Sequence, residues 1–208
     1  MELYKKLFEI SRRYIEDSKT NPKLDLHRVT DMYDSVGANQ IASKQWLVDE
    51  AIQYLNQDDI IMVAGAWYGV LSHLLKESGF ADNIIYNVDI DPVAKEIGKK
   101  LFPETVFVCD DGINFYMERR NWFTVLINTS TEHMEPDEFE LLIRSKPEDT
   151  LLICQSNNNW AEGEHINCHD SVEELAAACK LKHIYYQDSR EFVGKWEQPY
   201  SRHMVIGK

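Results

Sequence analysis

Two glycines and an aspartate mark the first place in this sequence where residue types and spacing imply chemistry. Gly65 and Gly69 follow the apolar run 60–64 and precede a helical pattern of leucines. This order predicts a strand, a tight turn and a helix. Glycine lets the backbone approach a ligand closely, and the free N–H groups of the following helix attract a nucleotide-like group. Asp89 ends the next apolar run, where a carboxylate accepts hydrogen bonds from ribose hydroxyls.

Polar residues also follow the third predicted strand, residues 105–108. Ligands of an open α/β sheet bind outside the carboxyl ends of its strands. Asp110 or Asp111 is therefore a candidate ligand contact. The competing duty is to cap the helix that begins at Gly112, and two adjacent acids allow both duties to be filled.

The fourth predicted strand, residues 123–127, is almost wholly apolar, as expected of a strand covered on both faces. Asn128, Glu132 and His133 follow it and should face the same cleft. Histidine titrates near neutrality and a neighbouring acid can orient it, so Glu132 and His133 are a candidate general base. The alternative is that the pair holds the loop in place.

Amides follow the fifth predicted strand at the same rim. Gln155, Asn157 and Asn158 suit hydrogen-bonded recognition of a polar substrate, and an asparagine-rich turn is the alternative. Lys44 begins a predicted helix, 44–56, with Ser43 as its N-cap. Lys44 either reaches the substrate or belongs to a solvated helix start.

A metal site is not predicted. His165, Cys168 and His169 gather in residues 164–170, but their spacing matches no closed four-ligand zinc pattern.

Several of these stretches resemble class I S-adenosylmethionine (SAM) dependent methyltransferases. The turn Gly65–Gly69, followed by Asn87–Pro92, resembles the first two motifs of that family. Val108–Gly112 is similar to its third-strand acid near the adenine, and Phe123–Met134 to its fourth strand and following loop. With the turn into the fifth strand at 145–153, the resemblance covers roughly residues 58 to 208 in the right order.

The resemblance implies SAM as the cofactor and gives the candidate residues their roles. Ile90 would press on the adenine face, and Asn128, Glu132 and His133 would be catalytic. Lys44, Gln155, Asn157 and Asn158 are the expected acceptor contacts. The implied cofactor contacts are Gly65, Ala66, Trp67, Gly69, Asp89, Ile90, Asp110, Asp111, Gly112 and Asn128.

Two departures from the family pattern keep other functions open. Trp67 stands where the family's turn usually has its middle glycine, and Val63 where an acid is frequent. These departures favour a non-catalytic SAM-binding or scaffold protein as an alternative. A different SAM-using reaction, or a nucleic-acid or protein methyltransferase, is the other alternative to methyl transfer onto a small or medium polar acceptor.

Composition and charge narrow the class of protein. The chain has 208 residues, 44% of them hydrophobic, a formal charge of -13 and a pI near 4.9. An acidic protein lacks the Lys and Arg excess that generic nucleic-acid binding requires. Residues 1–8 show neither a secretory signal nor a membrane anchor, and the cysteines show no close pairing, so we expect a cytoplasmic protein with reduced cysteines.

The fold predicted from these patterns is α/β. We expect a Rossmann-like, seven-stranded, mostly parallel sheet with an antiparallel C-terminal edge strand and helices on both faces. Residues 1–57 are expected to form an N-terminal helical extension, and 58–208 the SAM-binding domain. Asn21 and Pro22 should end the first helix, residues 20–42 should connect, and Trp196 should belong to an aromatic loop.

Overall fold

The structure is a computed structural model that describes residues 2–20, 25, 27–194 and 197–208. The helix stop predicted at Asn21 and Pro22, and the placement predicted for Trp196, lie outside these residues. Over the described residues the chain forms eight α-helices and seven strands. The helices are α1 (Glu2–Thr20), α2 (His27–Asp34), α3 (Ala38–Ala51), α4 (Val70–Glu77), α5 (Pro92–Leu101), α6 (Gly112–Arg119), α7 (Pro136–Ser145) and α8 (Val172–Cys179). The strands are β1 (Ile60–Ala64), β2 (Ile84–Asp89), β3 (Val106–Cys109), β4 (Val125–Asn128), β5 (Leu151–Asn157), β6 (Ile184–Val193) and β7 (Pro199–Gly207).

The seven strands form one sheet in the order β3-β2-β1-β4-β5-β7-β6. Strands β1 to β5 are parallel, and β7 runs antiparallel to both β5 and β6. The predicted Rossmann-like architecture is thus confirmed. The antiparallel C-terminal strand lies one place in from the edge, and β6 forms the edge itself. The strand order reverses between β1 and β4, which is where ligands of such sheets bind.

Side chains of β1 point alternately to the two faces of the sheet, and each face packs against helices. Ile61 and Val63 enter one hydrophobic cluster with α3 and α4, while Met62 and Ala64 enter another with α6, α7 and α8. This is the two-residue period of a strand covered on both sides. All four residues of β4 are buried, in agreement with its apolar sequence.

The N-terminal helices pack on the glycine turn. Leu7 of α1 and Met32 of α2 share a buried cluster with Tyr68 of the turn, and with Ile97 and Phe102 at α5. The helix α2 lies in the segment predicted to be a connection. Residues of the N-terminal extension therefore share core with the α/β part of the chain.

The predicted start of the third helix is wrong. Helix α3 begins at Ala38, after an N-cap at Gly37, and not at Lys44. Ser43 is buried inside α3, and its hydroxyl donates to Oε1 of Gln155 at 3.1 Å. A serine that bonds to a neighbouring strand carries the same sequence signal as a cap, which explains the error. No helix within the described ranges has the length and apolarity needed to cross a membrane.

Candidate functional site

The tips of β1, β2 and β3 are held together by three backbone donors. The Ala66 N–H donates to the Val88 carbonyl at 3.1 Å, and the Trp67 N–H donates to Oδ2 of Asp89 at 2.7 Å. The Asp110 N–H donates to the Asp89 carbonyl at 3.1 Å. The glycine turn, Asp89 and Asp110 therefore meet at one edge of the sheet, as the sequence predicted.

Both glycines of the turn are required by conformation and by packing. Gly65 has φ 62° and Gly69 has φ 81°, values that side chains disfavour. A Cβ at Gly65 would overlap the Ser130 hydroxyl, and one at Gly69 would lie 2.5 Å from Cζ of Phe107. The turn is thus fixed closely against the loop after β4.

Trp67 adopts the left-handed conformation that its glycine-like position demands. Its φ is 51°, which costs an L-residue roughly 1–2 kcal/mol. Its indole Nε1 donates to Oδ2 of Asp31 at 3.3 Å, and its ring lies 5.4 Å from that of Tyr68. These contacts offset the backbone strain.

Helix α2 is fastened across the turn by ionic contacts. Oδ2 of Asp31 accepts from Tyr68 Oη at 2.5 Å and from Arg28 Nη1 at 2.8 Å. Arg28 also lies 2.6 Å from Oδ2 of Asp91, which caps α5 by accepting from the Val93 N–H. Burial and the bond to Asp31 raise the pKa of Tyr68, so its hydroxyl stays a donor. We call Arg28, Asp31 and Tyr68 the α2 latch.

The carboxylates at the tips of β2 and β3 keep free acceptors. Each oxygen of Asp89 accepts one backbone N–H, from Trp67 or from Asp91, which leaves a lone pair on each. Asp111 caps α6, so the exposed Asp110 beside it is not needed as a cap. Ile90 is 74% exposed, an open apolar surface next to Asp89. Gly112 begins α6 close to Ala64.

Asn128 is wholly buried at the end of β4. Its Oδ1 accepts from the Ser130 N–H at 3.0 Å, and its Nδ2 donates to the Met134 sulfur at 3.1 Å. Ser130 in turn donates to the Gly65 carbonyl at 3.0 Å. The structure therefore places Asn128 as an anchor of the loop that meets the glycine turn.

A buried polar cluster lies at the carboxyl ends of β4 and β5. Oε1 of Glu132 accepts from Asn157 Nδ2 at 2.6 Å and from Arg202 Nη2 at 3.3 Å. All three residues are less than a tenth exposed. Sequence reasoning missed Arg202; its only signal was a charge within the final apolar strand, where it pairs in register with Asn157.

Lys44 of α3 faces the same cluster. Burial lowers the pKa of its ammonium to about 7, with the charge of Arg202 adding to the effect and that of Glu132 opposing it. Its Nζ donates to Oε1 of Gln40. Lys44, Glu132 and Arg202 therefore belong to one electrostatic group, drawn from three distant parts of the sequence.

The remaining predicted amides are engaged in holding elements together. Gln155 is buried and exchanges hydrogen bonds with the side chain and carbonyl of Ser43. Oδ1 of Asn158 accepts from the Ser201 N–H at 2.8 Å, tying the loop after β5 to β7. These bonds favour the turn interpretation for Asn158, whereas the Lys44 ammonium donates to Gln40 on its own helix.

His133 is exposed, and its orientation differs from the one expected of a Glu–His base. Its Nδ1 lies 3.3 Å from the Glu164 carbonyl, while the Glu132 carboxylate bonds to Asn157 and Arg202. His165 lies beside it, with ring centroids 4.8 Å apart.

Solved structures of SAM-dependent methyltransferases share this fold. One from Methanosarcina mazei is 15% identical with a TM-score of 0.57, over 74% of this chain and 93% of that one. One from Agrobacterium tumefaciens is 14% identical with a TM-score of 0.55, over 81% of this chain and 61% of that one. The chain therefore has the Rossmann-like fold of the class I SAM-dependent methyltransferases.

A third similar protein matches almost the whole chain. A point mutant of MtNAS, in complex with S-adenosylmethionine, is 13% identical with a TM-score of 0.54, over 98% of this chain and 72% of that one. MtNAS has also been solved with MTA and tNA. No protein-family model and no curated protein matches the sequence.

Proposed function

We propose that the protein binds SAM and transfers its methyl group to a small or medium polar acceptor. The main support is that the glycine turn, Asp89 and Asp110 lie together at the carboxyl ends of β1, β2 and β3. The 2.7 Å hydrogen bond from the Trp67 N–H to Asp89 joins the turn to β2. This arrangement supplies the ribose acceptor, the turn and the adenine-side acid that a nucleoside cofactor needs.

The adenosine half of SAM lies over β1, β2 and β3 in this proposal. The ribose hydroxyls donate to the free lone pairs of Asp89, the adenine packs on the exposed Ile90, and its amino group donates to Asp110. The methionine end then extends from the glycine turn towards the loop after β4. The reversal of strand order between β1 and β4 leaves room for it there.

The acceptor lies on the other side of that reversal, beside β4 and β5. The cluster of Lys44, Glu132 and Arg202 provides polar groups of both charges for it. In methyl transfer, the acceptor atom forms a bond to the methyl carbon, the carbon–sulfur bond breaks, and a neutral thioether leaves. Holding donor and acceptor in line supplies much of the rate enhancement.

The test is to incubate the protein with methyl-labelled SAM and a panel of small amines, carboxylates and hydroxyl compounds. We expect labelled acceptor and S-adenosylhomocysteine in equal amounts. SAM binding without turnover on any acceptor, including protein and nucleic acid, would instead support the non-catalytic alternative.

A second candidate is a SAM-using reaction other than methyl transfer. The match with MtNAS supports this candidate, because MtNAS has been solved with S-adenosylmethionine and also with MTA and tNA, and the match covers 98% of this chain. The sulfonium of SAM carries three carbon substituents, and transfer of a different one leaves a different thioether. Mass spectrometry of the nucleoside product therefore separates the two reactions.

A further inference from the structure

Three side chains from two loops converge beside the carboxyl end of β4. One carboxylate oxygen of Glu132 and one ring nitrogen each of His133 and His165 lie within 4.8 Å of one another. Glu132 and His133 belong to the short helical turn after β4, and His165 to the loop between β5 and α8. We propose that these residues form a binding site for a divalent transition-metal ion, with Zn²⁺ as the ion that the ligands fit best.

Each of the two histidines has a backbone carbonyl next to its Nδ1. Nδ1 of His133 lies 3.3 Å from the Glu164 carbonyl, and Nδ1 of His165 lies 2.8 Å from the Asn159 carbonyl. A carbonyl only accepts, so each Nδ1 must carry the proton, and each Nε2 keeps a free lone pair. Metal-binding histidines almost always have their second nitrogen fixed in this way.

The buried carboxylate of Glu132 also supports a metal ion at this place, separately from the histidines. The residue is 2% exposed, and Oε1 holds both Asn157 and Arg202. Oε2 is buried and has no hydrogen-bond partner in the part of the chain that the structure describes. A buried carboxylate oxygen without a partner is costly, and a bound cation would satisfy it.

The same glutamate also ties the histidine loop in place. The Glu132 carbonyl accepts from the Ile166 N–H at 2.8 Å and from the Asn167 N–H at 3.2 Å. These bonds are next to His165 in the chain, so they hold its ring near His133. By contrast, Cys168 and His169, which are close to His165 in the sequence, have other partners. The Cys168 thiol contacts Asn157, and the His169 ring contacts Ser156.

Two imidazoles and one carboxylate identify the class of ion. This set binds Zn²⁺ with an open coordination position, whereas Mg²⁺ and Ca²⁺ prefer oxygen ligands throughout. Ligand atoms around a tetrahedral Zn²⁺ are roughly 3.4 Å apart. Binding therefore requires the three groups to approach one another by on the order of 1 Å.

The ion would lie on the acceptor side of the site, because Glu132 also holds Asn157 and Arg202. Its open position would then take an oxygen or nitrogen of the acceptor and polarise it. This last step rests on the proposed function, whereas ion binding itself does not.

The test is calorimetric titration of the chelator-treated full chain with Zn²⁺, Co²⁺ and Mg²⁺. We expect one site for Zn²⁺ and Co²⁺ and none for Mg²⁺. His133→Ala and His165→Ala should each weaken Zn²⁺ binding by about tenfold or more. His183→Ala is the matched control and should bind Zn²⁺ as the unaltered chain does. This exposed histidine immediately precedes β6, at the end of that strand away from Arg190, which pairs with Arg202.

Equal Zn²⁺ affinity in both site variants and the control would overturn the proposal. The Co²⁺ absorption spectrum of the unaltered chain is a second test that requires no variant to fold. If only the spectrum of hydrated Co²⁺ is seen, the proposed metal site is also overturned. Neither measurement requires SAM. A failure here is therefore distinguishable from a failure to bind SAM in a separate titration.

Discussion

The backbone N–H of Trp67 donates to the carboxylate of Asp89 at 2.7 Å, joining the glycine turn to the tip of β2. One side chain thus shapes the turn and, in the proposed function, also accepts from the ribose. The arrangement gives the central site a rigid frame before any ligand arrives, since the acceptor oxygen is already oriented by a backbone donor.

Replacing Asp89 should weaken SAM binding strongly. Asp89→Ala removes two charge-assisted acceptors of the ribose, and a hydrogen bond to a charged group contributes about 1.5–3 kcal/mol. For the two bonds together we expect a loss of roughly 100- to 10,000-fold in affinity by calorimetry. Asp82→Ala, an exposed aspartate in the turn before β2, is the control. Unchanged affinity, with circular dichroism showing an intact fold, would remove Asp89 from the site.

Substitutions of Trp67 should show how much the left-handed backbone at this position lowers the free energy of unfolding. Trp67→Gly and Trp67→Ala both remove the indole and its bond to Asp31, but only glycine accepts φ 51° without strain. We expect the glycine variant to be the more stable of the two by about 0.5–1 kcal/mol in urea denaturation. If alanine is equally stable or better, the strain assigned to this position is absent in solution.

Lys44 should make stability depend on pH. Its pKa is lowered from 10.5 to about 7 by burial. Between these values the unfolded chain holds a proton that the folded chain lacks, so stability rises with pH; below pH 7 the penalty for charging the buried amine is complete. Lys44→Met removes this group, so its gain in stability over the unaltered chain should be greatest below pH 7.

Urea denaturation on either side of pH 7 measures this effect. Each unit of pKa shift corresponds to about 1.4 kcal/mol. The stability difference between Lys44→Met and the unaltered chain should therefore change with pH by a readily measured amount. Lys100→Met, in an exposed lysine of α5, is the control and should run parallel to the unaltered chain. A Lys44→Met difference that stays constant with pH would show that the amine is solvated.

The α2 latch should govern how firmly α2 covers the glycine turn. Arg28→Ala removes the ion pairs to Asp31 and Asp91, at 2.8 Å and 2.6 Å. Burial acts to lower the pKa of Arg28, but Tyr68 and the two carboxylates raise it overall, so the guanidinium is charged. We expect faster hydrogen exchange across residues 27–34.

Arg12→Ala removes an exposed pair with Glu16 on α1 and serves as the control for this exchange measurement. Exchange in α2 that responds equally to the two substitutions would show that the latch adds nothing beyond a surface pair.

The positions of the glycine turn, Asp89 and Asp110 could be predicted because their sequence signals are local. Gly65 and Gly69 mark the turn, and the spacing to Asp89 and Asp110 follows from one strand–helix repeat after another. The mostly apolar composition of β4 was enough to predict a central strand, because a strand that is buried on both faces has few positions for polar residues.

The polar groups gathered near the ends of β4 and β5 were harder to predict because they depend on packing between distant segments. Lys44, Glu132 and Arg202 are brought together only by the docking of α3 and by the register of β7 against β5. His133 and His165 meet for the same reason, through the bonds of the Glu132 carbonyl. Ser43 looked like a helix cap because its role, a bond to Gln155, lies across the fold.

Calorimetric titration of the purified chain with SAM, with its demethylated product and with NAD at matched concentrations shows directly whether the chain uses this cofactor. We expect binding of SAM or the product and no binding of NAD. If none of the three binds, the glycine turn is a feature of the fold alone, and the proposed function is contradicted.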